Sequence, residues 1–145
     1  MSVVKNPANE PTRAKNADAL LVPVAVGELI DKITILEIKS ERIGDDAKLR
    51  NIRAELNMLA QVRDEHVAPG KEIKRLTHEL KHVNEGLWEI EDEIRDCERR
   101  RDFGQKFIEL ARSVYQTNDL RSQLKRKINE ASGSRIVEEK SYAAY

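Results

Sequence analysis

The chain has 145 residues, enough for one domain with its own core, and its 26 Lys and Arg balance its 26 Asp and Glu. Charged residues make up 36% of the chain and aromatic residues only 4%, a composition that favours long, solvated helices over a β-sandwich or barrel. Zero net charge argues against a globally basic nucleic-acid binder, and a single cysteine excludes both an intrachain disulfide and a multi-cysteine zinc site.

The two ends of the chain differ in composition from its middle. Residues 1–19 are polar and broken by proline, which predicts a disordered N-terminal tail. We expect residues 20–142 to form a single helical domain and 143–145 to be a short C-terminal end. Neither a membrane-length apolar stretch nor the apolar run of a signal peptide is visible, so we expect a cytoplasmic protein with no membrane contact.

The spacing of apolar residues predicts four helices in the order that follows. Helix one runs from about residue 27 to 43 and stops at Gly44, and helix two begins at Asp45 or Asp46. Helix two ends before the turn at residues 68–70. A capping box at residues 102–105 predicts a break before helix four, which continues to about Ala131. The pattern gives no prediction for the conformation of residues 132–145.

Helix three carries a seam of apolar residues that alternate three and four apart over more than three heptads: Ile73, Leu76, Leu80, Val83, Leu87, Ile90, Ile94 and Cys97. This seam is typical of a coiled coil, and we expect helices two and three to form an antiparallel hairpin. The predicted fold is therefore all-α, an elongated antiparallel bundle with a long coiled-coil-like hairpin. Because such rods bury their seams poorly in a small monomer, we expect a homodimer; a self-covered monomer is the alternative.

Two features suggest metal or thiol chemistry but have simpler interpretations. His78-Glu79-Leu80-Lys81-His82 matches the HExxH zinc pattern, yet its histidines lie opposite the seam, as expected of a solvated face, so we predict no metal. Cys97 occupies a seam position, which predicts a small buried apolar residue. We assign no catalytic residue and no cofactor.

Helices one, three and four carry polar residues in places where apolar ones are expected. On helix one, Lys32 and Lys39 lie between two apolar stripes, so the helix packs on two sides, and Glu28 can pair with Lys32 one turn on. On helix four, Arg121 lies on the core stripe with Asn118 and Lys125 beside it. This trio predicts either an anion site or a buried network in which Arg121 pairs with Glu91 or an acid of helix one. The candidate ligand-binding residues are Lys32, Lys39, Trp88, Glu91, Arg95, Tyr115, Asn118, Arg121 and Lys125.

Five segments together resemble a small bacterial family that is known only as a domain of unknown function. They are PVAVGELIDKITILEIK at 23–39, LWEIED at 87–92, FIELARSVY at 107–115, NDLR at 118–121 and EEKSY at 138–142. The resemblance spans about residues 20–142 and implies no known activity and no assigned site. It suggests a link to the assembly of surface polysaccharides.

These observations lead to two expected functions. The first is a helical interaction or assembly module that pairs with itself or with a partner protein, with Leu80, Leu87 and Ile94 as contact residues. The second is a binding site or small enzyme for an anionic small molecule, a phosphorylated or carboxylated metabolite. We lean against an enzyme, and we do not expect nucleic acid as a partner.

Overall fold

A computed structural model describes residues 19–145, and it is helical throughout its regular structure. Its four helices are α1 (Val26–Arg42), α2 (Asp46–His66), α3 (Lys71–Arg100) and α4 (Gln105–Ser132), with no strand in residues 19–145. The all-α prediction is confirmed, and the helix bounds agree with those predicted to within about two residues. All but the last residue of the predicted N-terminal tail lies outside the described residues.

The helix ends follow local side-chain and backbone chemistry. Asp45 caps α2 by accepting a hydrogen bond from the backbone N–H of Lys48 at 2.8 Å. Gly133 ends α4 in the left-handed conformation at φ 66°, where a residue without Cβ is unstrained. After α1, by contrast, Ile43 is extended, so Gly44 is not needed as a left-handed cap.

The predicted capping box at residues 102–105 is wrong. The N-cap of α4 is Gly104, and its backbone N–H donates to Asp102 Oδ1 at 3.1 Å. The Gln105 amide donates forward to Glu109 rather than back to the cap. Asp102 therefore holds the turn closed instead of starting the helix.

The predicted hairpin of helices two and three is also wrong. α2 packs against α1 and reaches neither α3 nor α4, whereas α3 and α4 form the most extensive helix pair. Leu76 and Leu80 near the start of α3 cluster with Ile128 and Leu124 near the end of α4, so these two helices are antiparallel. α4 covers the apolar seam of α3 in part, and α1 adds Ile30 near its start. The buried residues of α2 are Leu49 and Ile52, and α1 is the helix that α2 packs against.

Burial is concentrated at one end of the α3–α4 hairpin. The core contains Ile30 from α1, which packs with Leu76 and Leu80 of α3 and with the end of α4. From residue 85 to residue 123, a segment that we call the distal arm, Cys97 is the only buried residue. The 30 residues of α3 span about 45 Å against about 26 Å for α1, so α1 flanks only the base of the arm.

α1 is the central helix, as its two apolar stripes predicted. It packs against α2, α3 and α4, and its N-terminus meets α4 closely at Gly27. The Gly27 backbone N–H donates to Asn129 Oδ1 at 2.7 Å, which satisfies one of the free donors at the start of the helix. A Cβ at Gly27 would lie 2.4 Å from the Lys125 carbonyl oxygen, so only glycine allows this approach.

Candidate functional site

A buried carboxylate joins three of the four helices. Asp31 of α1 is 1% exposed, and Arg121 of α4 binds it bidentately, with Nε donating to Oδ1 at 2.9 Å and Nη2 donating to Oδ2. From α3, Asn84 Nδ2 donates to Asp31 Oδ1 at 2.9 Å and to Thr34 Oγ1 at 3.0 Å. The Thr34 hydroxyl donates to the Asp31 carbonyl oxygen at 2.8 Å. A buried charge is tolerated when it is paired and hydrogen-bonded in this way.

The hydrogen bonds from Arg121 to Asp31 also fix the charge of the guanidinium. They raise the pKa of Arg121 further above its ordinary value, while burial acts in the opposite direction. The prediction that Arg121 pairs with an acid of helix one is therefore confirmed, and the acid is Asp31. The alternative partner, Glu91, pairs with Arg95 one turn away on α3.

Lys125 is the second paired cation on α4. Its ammonium donates to Glu28 Oε2 at 2.7 Å and to Glu138 Oε2 at 2.9 Å. Burial works to lower the pKa of Lys125, but the hydrogen bonds with Glu138 and Glu28 outweigh it and raise that pKa. The predicted pair of Glu28 with Lys32 is not formed, because Glu28 reaches across to α4.

The C-terminal segment after α4 runs back along the same helix. Glu138 and Glu139 pair with Lys125 and Arg126, and the Tyr145 hydroxyl donates to Asp119 Oδ2 at 2.8 Å. The Tyr145 ring also packs edge-on against Tyr115 with centroids 5.1 Å apart. We call residues 135–145 the C-terminal strap, because side-chain contacts hold it on α4 without regular structure.

A cavity of about 450 Å³ opens beside the buried carboxylate, between α1 and the base of the distal arm. Ile35 and Ile38 of α1 and Leu87 of α3 form its apolar part. The polar groups around it are Asn84, Glu91, Asp92 and Arg95 of α3 and Asn118 and Arg121 of α4, with Trp88 among them. The cavity is thus lined by three helices that are far apart in sequence.

The structure brings together five of the nine candidate ligand-binding residues at this cavity. Those five are Trp88, Glu91, Arg95, Asn118 and Arg121. Lys32 is exposed and Lys39 is half-buried, and neither lines the cavity. Tyr115 contacts the C-terminal strap, and Lys125 is held by Glu28 and Glu138. The predicted trio of Asn118, Arg121 and Lys125 is therefore split, with only the first two at the cavity.

Sequence reasoning missed Asp31, the residue on which the polar network depends. At 100° per residue, Asp31 falls on the same face of α1 as Ile35 and Ile38, and an acid within an apolar stripe was the available signal. Asn84 carried a weaker signal, since it lies at the edge of the α3 seam. No local pattern in the sequence indicates the contact between Asp31 and Asn84, because the two residues are 53 positions apart.

The two histidines of the HExxH segment lie on an exposed face of α3, as their position opposite the seam predicted. His78 and His82 are exposed, and no three His, Cys, Asp or Glu side chains within residues 19–145 cluster as a metal site. His78 borders a second cavity of about 820 Å³, between the end of α2 and the start of α3. Cys97 is fully buried, as its seam position predicted.

A family model matches residues 20–145 of the chain, and its description is "Family of unknown function (DUF6165)". No curated protein and no solved structure shows significant similarity to the chain. None of the helices between residues 19 and 145 is both long enough and apolar enough to cross a membrane.

Proposed function

The chain belongs to the DUF6165 family of unknown function, and we propose that it is a helical assembly module that forms a homodimer through its distal arm. The observation that carries this proposal is the low burial of a long apolar seam. The arm has 39 residues, from 85 to 123, and Cys97 alone among them is buried.

The seam of the arm consists of side chains that one helix partner covers only in part. Each of the following is half-buried: Leu87, Ile90, Ile94, Phe107, Leu110 and Val114. Completing the burial of such a side chain is worth at most about 1 kcal/mol, because no more than about a third of its surface is still exposed. A second arm packed alongside would turn two hairpins into a four-helix coiled-coil-like bundle, so the combined gain favours association.

One of the three contact residues named from the sequence has a different role. Leu80 is fully buried against Ile30, Leu124 and Ile128 within the same chain, so it cannot contact a partner. Leu87 and Ile94 remain partly exposed and keep the proposed role. This proposal comprises the dimer and the coiled-coil geometry of the arm. It also places the protein in the bacterial cytoplasm.

The pairing of the inward cations supports an assembly role over an open anion site. Arg121 has Asp31, and Lys125 has Glu28 and Glu138, so neither side chain is a free positive charge. Each ion pair joins α4 to another part of the chain. We therefore propose that this network fixes how the helices align, and that the arm projects from that fixed base.

Light scattering on seam variants tests the assembly proposal. We expect the unchanged chain to have twice its 16.6 kDa mass, and Ile94→Glu and Leu110→Glu each to reduce it to 16.6 kDa with the helical circular dichroism kept. Val62→Glu on α2 introduces the same charge at an exposed position and should leave the dimer intact. A monomeric parent chain, or seam variants with the mass of the parent, would contradict the proposal.

We propose as a second function that the cavity beside Asp31 binds a small molecule with an anionic group, such as a phosphorylated or carboxylated metabolite. What supports it is that Asn118 and Arg121 both line the cavity, next to Trp88. A thermal-shift screen of phosphorylated sugars, nucleotide sugars and carboxylates tests it. We expect at least one carboxylate to raise the melting temperature of the parent chain but not of Asn118→Ala, and a screen without any shift would contradict it.

A further inference from the structure

We propose that the cavity between α1, α3 and α4 binds a zwitterionic α-amino acid with an apolar side chain. This inference rests on the second proposed function, the small-molecule site, and names its ligand class. Three groups of cavity residues carry it: an acceptor side for the ammonium, a donor side for the carboxylate and an apolar wall for the side chain.

The acceptor side begins with the carbonyl oxygen of Asn84. The residue is 5% exposed, and its Nδ2 must face Asp31, because a carboxylate only accepts hydrogen bonds. This orientation leaves Oδ1 on the other side of the amide, where it has no hydrogen-bond partner within residues 19–145. Every side-chain oxygen of residues 19–145 that is shut off from solvent has a hydrogen-bond partner. Because Asn84 Oδ1 has none, solvent must reach it, and the cavity that Asn84 lines provides the access.

Asp92 extends the acceptor side with a charge. Its carboxylate lines the cavity and has no ion-pair partner among the described residues, whereas the neighbouring Glu91 is paired with Arg95. A carboxylate and an amide oxygen are suitable acceptors for an ammonium, which donates three hydrogen bonds. The indole of Trp88 lies beside them and can add an attraction to a cation over its face.

The donor side lies on α4. Asp31 engages Nε and Nη2 of Arg121, which leaves the donors of Nη1 without a partner in the described part of the chain. The amide of Asn118, one turn earlier on α4, likewise has no hydrogen-bond partner in residues 19–145. Arg121 is 30% exposed and lines the cavity, so its remaining donors and the Asn118 amide can both reach a carboxylate there.

The charges at the cavity favour a ligand that carries both signs. Asp31 neutralises Arg121 and Glu91 neutralises Arg95, which leaves Asp92 as the unbalanced charge. A ligand with only a negative charge would be repelled by the Asp92 carboxylate. A ligand with only a positive charge would leave the free donors of Arg121 and Asn118 without an acceptor. A zwitterion satisfies both sides, and Ile35, Ile38 and Leu87 offer its side chain an apolar surface. The cavity volume of about 450 Å³ lies within the range of small-molecule sites.

Trp88 provides a direct readout, because it is the only tryptophan in the chain. The titration uses three molecules with one carbon skeleton: leucine, 4-methylpentanoate, which lacks the ammonium, and 3-methylbutylamine, which lacks the carboxylate. We expect leucine to change the Trp88 fluorescence saturably and each of the other two to bind at least about tenfold more weakly, the loss expected for a missing charge-assisted hydrogen bond.

Asp92→Asn is the matched variant, because Asp92 is exposed and its loss should not affect folding. We expect this variant to bind leucine about tenfold more weakly or worse, and to bind 4-methylpentanoate at least as well as the parent chain does, because the repulsion by the Asp92 carboxylate is removed. Glu93→Gln, at the next position but outside the cavity lining, should bind leucine like the parent chain.

The outcomes separate this inference from the second proposed function. Equal binding of leucine and 4-methylpentanoate overturns the zwitterion while a carboxylate site remains. No response to any of the three molecules, with a response to a phosphorylated sugar, overturns the zwitterion and leaves the anion site. If none of the three molecules and no compound of the wider screen binds, both the zwitterion site and the anion site are overturned.

Discussion

Asp31 is a buried acid that connects three helices through one side chain. Its carboxylate accepts from Arg121 on α4 and from Asn84 on α3, while its own backbone belongs to α1. An ionised group with 1% exposure is tolerated only while those donors stay in place. The alignment of three helices is thereby tied to one side chain, because a shift of any of them would break at least one of its hydrogen bonds.

Arg121→Met tests that dependence. The variant keeps the apolar stem but leaves Asp31 buried without its cation, and we expect a loss of about 3 kcal/mol in the free energy of unfolding, the low end for a broken buried pair because Arg121 is partly exposed. Urea denaturation monitored by circular dichroism measures it. Arg126→Met, which removes only exposed ion pairs, should cost far less, because solvent screens those pairs. Equal losses in the two variants would contradict the role given to Asp31.

Two glycines should respond to alanine with opposite signs. At Gly86, in the middle of α3, a Cβ meets nothing within 4 Å, so Gly86→Ala should stabilise the chain by up to about 1 kcal/mol through helix propensity. At Gly27 a Cβ would clash with the backbone oxygen of Lys125, so Gly27→Ala should destabilise it despite the same gain in propensity. The melting temperatures of the two variants test these opposite signs. A higher melting temperature for Gly27→Ala than for the parent chain would show that α1 does not approach α4 this closely.

At the scale of single residues, the sequence identified a polar residue that interrupts an apolar stripe, but it did not identify the individual residue with which that side chain pairs. Arg121 was identified as an inward cation because it interrupts an apolar stripe of α4. Its partner lies 90 positions away, and no local pattern encodes that distance. Asp31 interrupts a stripe of α1 in the same way, but the stripe has only two other members, Ile35 and Ile38, so the interruption was harder to see.

Helix pairing shows a similar limit at the element scale. The existence of all four helices followed from apolar spacing and from turn residues such as Gly70 and Gly133. Which helix covers the α3 seam did not follow, because the spacing of a seam is the same whichever helix packs on it. α2 buries only Leu49 and Ile52, so its narrow apolar face suits one neighbour, and α1 takes that place.

The C-terminal strap is an element held by titratable groups, and acid should release it. The hydrogen bond from Lys125 lowers the pKa of Glu138 below its ordinary 4.5, so the contact contributes stability above pH 4.5 and is lost as the pH falls through the lowered value. The raised pKa of Lys125 keeps its ammonium charged up to and beyond pH 10.5. We therefore expect the contact between the rings of Tyr145 and Tyr115, followed by NMR, to weaken below about pH 4.5.

Glu138→Gln separates strap release from general acid unfolding. At neutral pH this variant should weaken the contact between Tyr145 and Tyr115 while the helical circular dichroism is unchanged, because Glu138 lies outside the helices. Glu130→Gln, on the solvent side of α4, provides the control and should leave the contact as in the parent chain. Strap contacts that survive both the Glu138→Gln change and acid would show that the aromatic pair alone holds the segment.

At the scale of the whole molecule, the chain divides into a well-buried base and a poorly buried arm. The base contains α1, α2 and the near ends of α3 and α4, around Ile30, Leu76 and Ile128. The arm relies on two helices that cover each other on one side only. In an isolated chain, helices with so few buried contacts open locally more readily than the core does.

Hydrogen exchange of the unmodified chain over a dilution series tests the central claim most directly, because it reports on the arm and the base at once. If a second copy covers the arm, amides between residues 85 and 123 should be protected at high protein concentration and lose that protection on dilution. Amides around Leu80 and Ile128 in the base should stay protected throughout. Arm protection that does not change with concentration, at a molar mass of 16.6 kDa, would contradict the assembly role.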